Sequence, residues 1–168
     1  MVAEMSIDAF DALPVDAAAS TVGVWAAVPA WVDAVVAGRP YGTRDALIAR
    51  ADALARTWTC TELDTALAHH PRIGEKPRGA GADAEAARRE QASMSSAAAA
   101  TATAIADGNA AYEQRFGRVF LIRAAGRTPE QMRDELERRL GNDDETEAAE
   151  ALDQLREIAL LRLEATIA

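Results

Sequence analysis

Two adjacent histidines, His69 and His70, stand directly before Pro71. Proline disfavours the α conformation in the residue that precedes it, so the helix carrying His69 must end here. His70 then sits at a helix C-terminus, where the macrodipole favours the charged imidazole. An imidazole in that place can exchange a proton near neutral pH. The same dipeptide also fits a plain terminal cap, and His69 reads as exposed or structural. Glu90 and Gln91 form a second group. Ala87, Glu90, Met94, Ala97, Thr101 and Ile105 share one face at helical spacing, which turns Glu90 inward. A carboxylate on an inward face needs a partner or a task; with the helix out of phase, Glu90 lies instead in solvent beside Arg88 and Arg89. Arg162 poses the same question with the opposite charge. It falls within the apolar arc of Leu152, Leu155, Ile158, Ala159 and Leu163, and Arg156 lies near the edge of that arc. A cation there snorkels to the surface, pairs with an acid, or faces a ligand pocket.

Other chemistries lack their residues. No Cys or His cluster has metal-ligand spacing. Gly79-Ala80-Gly81 lacks the lysine and threonine of a phosphate loop. No serine stands in a nucleophile elbow, and Cys60 has no neighbouring base. No metal and no nucleotide, flavin or pyridoxal cofactor is expected. The formal net charge of −9 argues against nucleic acid or an anionic membrane as partner. A small anionic substrate remains compatible, provided that local cations receive it. Lys76 is the single lysine, and the other basic residues are arginines, which suit forked recognition of carboxylates and ureas. One cysteine points to a reducing, cytoplasmic setting. The first thirty residues carry Glu4, Asp8, Asp11 and Asp16 with no basic start, so no signal peptide is expected, and no apolar run is long enough to span a bilayer.

The elements that must position these residues read as helices. Alanine supplies much of the 49% hydrophobic fraction, while aromatics make up 5%; alanine is the strongest helix former. Ser6 is a candidate N-cap for a short helix through Phe10, and Asp16 for the next, before Pro29. Trp31 to Val36 forms a third. Thr43 caps a helix running to about Trp58, and Thr61 starts one that ends at His69-His70. Residues 71–82, with two prolines and three glycines, form a loop. Asp83 opens the longest helix, continuous through Met94 and Ile105 to about Gly108, with a further stretch from Asn109 to Phe116. Val119 to Ile122 is strand-like but too short and too alone for a sheet, and reads as a buried extended link or a helix start. Thr128-Pro129-Glu130-Gln131 is a helix start. Asp143, Asp144, Glu145 and Glu147 load the first turn of the last helix. The expectation is an all-α, single-domain bundle over residues 1–168, with about seven to nine helices.

The same residues carry a family resemblance. His70-Pro71-Arg72-Ile73-Gly74 resembles the His-Pro-x-Ile-Gly signature of 2-oxo-4-hydroxy-4-carboxy-5-ureidoimidazoline (OHCU) decarboxylases. Glu90-Gln91 resembles that family's Ser-x-x-Glu-Gln. Asn109, Tyr112, Arg115-Phe116-Gly117 and Phe120 resemble its Asn-x-x-Tyr-x-x-Arg-Phe-Gly-x-x-Phe block. Ala125-Gly126-Arg127, Leu161-Arg162-Leu163, Trp25, Arg39-Pro40 and Trp58 also fit, in order along nearly the whole chain. The resemblance implies an all-α, cofactor-independent and commonly homodimeric enzyme that converts OHCU to (S)-allantoin and carbon dioxide in urate degradation. It implies His70 as catalytic acid/base, Glu90 and Gln91 as hydrogen-bonding groups, and Arg162 as the cation that binds substrate. Pro71 and the segment Phe120, Leu121, Ile122, Arg123 and Ala124 would line the pocket. Ala87 stands where the family has serine, so that corner lacks a hydroxyl. Two other readings stay open: a decarboxylase of a related ureido or hydantoin acid, and a non-enzymatic helical interaction module.

Overall fold

The computed structural model describes residues 4–168, and all regular elements among them are helical. The helices are α1 (Ile7–Asp11), α2 (Val15–Trp25), α3 (Pro29–Ala37), α4 (Arg44–Ala55), α5 (Cys60–Leu67), α6 (Ala82–Glu90), α7 (Ala99–Phe116), α8 (Pro129–Arg139) and α9 (Asp144–Thr166), with a 3-10 turn at Ala92–Ser96. The contacts gather into two compact units, residues 1–66 with 156–168, and residues 67–155. Helix α9 therefore gives its first half to the second unit and its last half to the first.

In the first unit, Ser6 and Thr43 cap α1 and α4 as expected, accepting from Ala9 N–H and Ala46 N–H. Asp16 does not cap α2. Pro14 holds the N-cap position without a side-chain bond, and Asp16 falls inside the first turn, where an acid still complements the dipole. The core buries Phe10, Trp25, Val35, Leu47 and Leu63 completely. Phe10 packs against Trp25 at 5.8 Å between ring centroids, and Trp31 meets Trp58 edge-on at 5.4 Å. The end of α9 is tied in by Trp25 Nε1 donating to Thr166 Oγ1 at 3.1 Å and by a parallel bridge between Met5 and Ile167. Arg156, expected near the edge of the apolar arc, pairs with Asp52 at 3.0 Å.

The second unit is built on α6, α7, α8 and the first half of α9. Its core gathers Ile73, Ile105, Tyr112, Phe120, Ile122, Met132 and Leu136. Gly108 lets α7 approach α8 closely, since a Cβ there would meet Leu136 Cδ2 at 2.6 Å. Thr128 and Gln131 form a complete capping box on α8. The continuous helix expected from Asp83 to Gly108 is broken. It stops at Glu90, passes through the 3-10 turn, and resumes at Ala99 to run on through Asn109 to Phe116. The serines explain the break. Ser95 and Ser96 hydroxyls donate to the carbonyls of Ala92 and Ser93, three residues back, and such local bonds compete with the α ladder. The longest helix among the described residues is instead α9, at 23 residues. Residues 119–124 form no regular element, and Phe120, Leu121, Ile122 and Ala124 are buried, which bears out the buried link.

Candidate functional site

His70 is presented by the segment that joins α5 to α6. The helix closes at Leu67, ahead of the expected end at His69-His70. The His70 N–H still donates to the Leu67 carbonyl at 3.2 Å, so the imidazole hangs just beyond the last turn. His70 and Pro71 are half-buried, and His69 is exposed. Both histidines, Pro71 and Ala87 line a cleft of about 400 Å³ within the second unit. Its other lining residues include Glu75, Lys76, Arg78 and Asp83. Lys76 and Arg78 bring cations into the cleft, balanced by the two acids; those cations are the groups an anionic ligand needs.

The segment is held from two helices. Arg72 makes a forked bond to Glu113 of α7, with Nη2 donating at 2.7 Å and Nε at 3.0 Å. That pairing raises the Arg72 pKa further above its ordinary value. Asn109 Nδ2, also on α7, donates to the Ile73 carbonyl at 3.0 Å. Gln91 closes a small ring with the loop: its Oε1 accepts from Gly74 N–H at 3.0 Å, and its Nε2 donates to the Arg72 carbonyl at 3.4 Å. Gly74 has φ +90°, a conformation that glycine adopts without a Cβ clash. Arg88 of α6 donates to the carbonyls of Gly79 and Pro77.

Ala87 is 4% exposed on α6 and is one of the residues lining this cleft. Glu90 is the last residue of α6 and half-buried. Because the helix breaks after it, the single face imagined for Glu90, Met94 and Ile105 does not exist.

The link from Phe120 to Ala124 is fixed by a buried network absent from the expectations above. Arg139 and Glu147, each 1% exposed, pair through Arg139 Nε and Nη2. Arg139 Nη1 donates to the Leu121 carbonyl at 2.7 Å, and its guanidinium lies 4.6 Å from the Phe120 ring centroid. The Tyr112 hydroxyl donates to Glu147 Oε1 at 2.5 Å, and Asn142 Nδ2 donates to Oε2 at 3.0 Å. Burial first, and the Glu147 bond second, push the Tyr112 phenol well above its ordinary value. Arg123 N–H donates to Gln154 Oε1 at 2.9 Å, and its guanidinium bonds the Ala125 carbonyl. A sequence signal for Arg139 did exist: with Met132 and Leu136 it occupies the i, i+4, i+7 face of α8.

In the first unit, Arg162 is 9% exposed and its Nη1 donates to the Val24 carbonyl at 2.8 Å. Among the described residues, no group of three or more His, Cys, Asp or Glu could hold a metal ion. No helix among them is long and apolar enough to cross a membrane.

A family model described as OHCU decarboxylase matches residues 11–164. The fold is similar to that of OHCU decarboxylase crystallised in the presence of (S)-allantoin, with a TM-score of 0.74 and 24% identity over 87% of this chain and 96% of that one. It is also similar to (S)-allantoin synthase, with a TM-score of 0.71 and 19% identity over 97% of this chain and 54% of that one; this chain spans about half the length of that protein. At these identities both likenesses establish the fold. No curated protein sequence matches significantly.

Proposed function

The chain belongs to the OHCU decarboxylase family and is a carboxy-lyase of urate degradation; from that premise we propose that it converts OHCU to (S)-allantoin and carbon dioxide, with His70 as acid/base. The observation that supports this most is the cleft whose lining includes His70, Pro71, Lys76 and Arg78. A carboxylate substrate needs such cations nearby, and proton transfer needs a positioned side chain of the imidazole kind.

In the proposed reaction the cations that line the cleft, Lys76 and Arg78, receive the anionic carboxylate. Glu90 and Gln91 grip the ring and ureido groups and decide which face meets His70. Gln91 keeps a second amide N–H beyond the one given to Arg72. The bond between the ring carbon and the carboxylate breaks, carbon dioxide leaves, and the electron pair moves into the ring carbonyl system. Backbone N–H groups of Phe120, Leu121, Ile122 and Ala124 stabilise the developing oxyanion, the Arg123 N–H being held by Gln154. Pro71 and Ala87 complete the wall, and a proton delivered from the His70 side forms the new C–H bond on one face. No cofactor enters this scheme.

Replacing His70 by alanine tests it. His70→Ala is expected to stay folded and to lose about two to four powers of ten in turnover, with loss of stereoselective allantoin formation followed by circular dichroism of the product. Unchanged stereoselective turnover would remove His70 from the reaction.

A second reading, a related ureido or hydantoin acid as substrate, draws support from Ala87, buried where the family carries serine. Turnover of a substrate panel, with OHCU generated in situ, separates the two. The proposal also includes a cytoplasmic protein, consistent with the exposed free thiol of Cys60, and a homodimer, which sedimentation equilibrium measures directly.

A further inference from the structure

We propose that Asn109 is a positioning residue for His70, acting through the Ile73 carbonyl. This rests on the reading of His70 as acid/base. Asn109 lies in mid-α7, 6% exposed, on the buried face that also carries Ile105 and Tyr112. Asparagine is a poor helix former, and a polar side chain on a buried face costs stability unless it is bonded. Here the amide makes one bond, to a carbonyl 36 residues away in sequence. Its Oδ1 is buried with no partner among the described residues. An apolar residue would suit that face better, so the bond to the His70 segment is what the asparagine contributes.

The other ties on this segment are weaker holds. Arg72 and Glu113 are 43% and 27% exposed, and an exposed ion pair is screened by solvent. The Gln91 bonds are exposed or half-buried, and one is long at 3.4 Å. The Asn109 bond is the buried one. Only Pro71 and Arg72 separate Ile73 from His70. Proline fixes its own φ and restricts the residue before it. Pro71 thus stiffens the link on the His70 side, and part of a shift of the Ile73 carbonyl passes to the imidazole.

The test compares Asn109→Ala and Asn109→Asp with the wild type, reading kcat, KM and the imidazole proton resonances. The chain holds two histidines, so His69→Gln assigns His70 in the spectrum. Asn109→Ala is expected to shift the His70 resonance and lower kcat about tenfold to a hundredfold, the scale of a small misplacement at a reacting centre, with KM little changed. Asn109→Asp adds a readout that a merely structural role would not move. A carboxyl buried there has a raised pKa, and only its neutral form can donate to the Ile73 carbonyl. The ratio of its kcat to that of the wild type should rise as pH falls, while the ratio for Asn109→Ala stays flat. If Asn109→Ala fails to fold, the pH dependence of Asn109→Asp decides alone. An unmoved His70 resonance with unchanged kcat, or a flat ratio for Asn109→Asp, overturns the proposal. Retained stereoselective turnover in His70→Ala would overturn the catalytic reading instead, and the resonance shift would still report on the positioning.

Discussion

Ala87 stands where the Ser-x-x-Glu-Gln pattern that Glu90-Gln91 resembles has its serine. Its methyl is 4% exposed on the wall that also carries His70. Ala87→Ser places a hydroxyl in that wall without a large change in volume. One neutral hydrogen bond contributes about 0.5–1.5 kcal/mol, so kcat/KM for OHCU is expected to rise by up to about tenfold, as steady-state kinetics measure. A fall would mean that another group already fills the serine's place. The turn at Pro71 is legible in the sequence because proline acts locally. The partners of the loop are not: Asn109 and Glu113 lie 36 and 41 residues from their bonds, and spacing along a chain carries no signal over such distances.

Helix starts are legible at three of the caps written in the sequence, though not at Asp16. Ser6, Thr43 and Thr128 each accept the bond that their position predicts. Helix ends and continuity were read less well. The alanine-rich stretch after Asp83 has the periodicity of one long helix, yet its serines divide it, because hydroxyl bonds to the backbone do not show in a hydrophobic pattern. The Arg139–Glu147 pair joins α8, α9 and the buried link at Leu121. Removing one partner strands a buried charge. Arg139→Met is expected to cost about 3–5 kcal/mol, read as a lower denaturant midpoint. The double variant Arg139→Met with Glu147→Gln should recover part of that loss, since neither charge is then left alone.

For the chain as a whole, pH acts on stability from both sides. Glu135 and Glu150 are held below the ordinary carboxylate value of 4.5, foremost by hydrogen bonds from Arg138. Their contribution is present above that value and is lost as pH falls through the lower folded values. The two tyrosines work in the opposite sense. Tyr41 and Tyr112 are raised above the ordinary value of 10.0, each chiefly by burial, so stability present below pH 10.0 is lost as pH climbs toward the folded values. Phenolate absorbance is therefore expected to appear together with loss of helical circular dichroism, rather than as an independent titration near pH 10.0. The tryptophans are distributed less evenly. Trp25, Trp31 and Trp58 are all the indoles in the sequence, and all three belong to the first unit. Tryptophan emission consequently reports directly on the unit that holds all three indoles, and only Tyr112 gives the unit that carries His70 a fluorophore of its own.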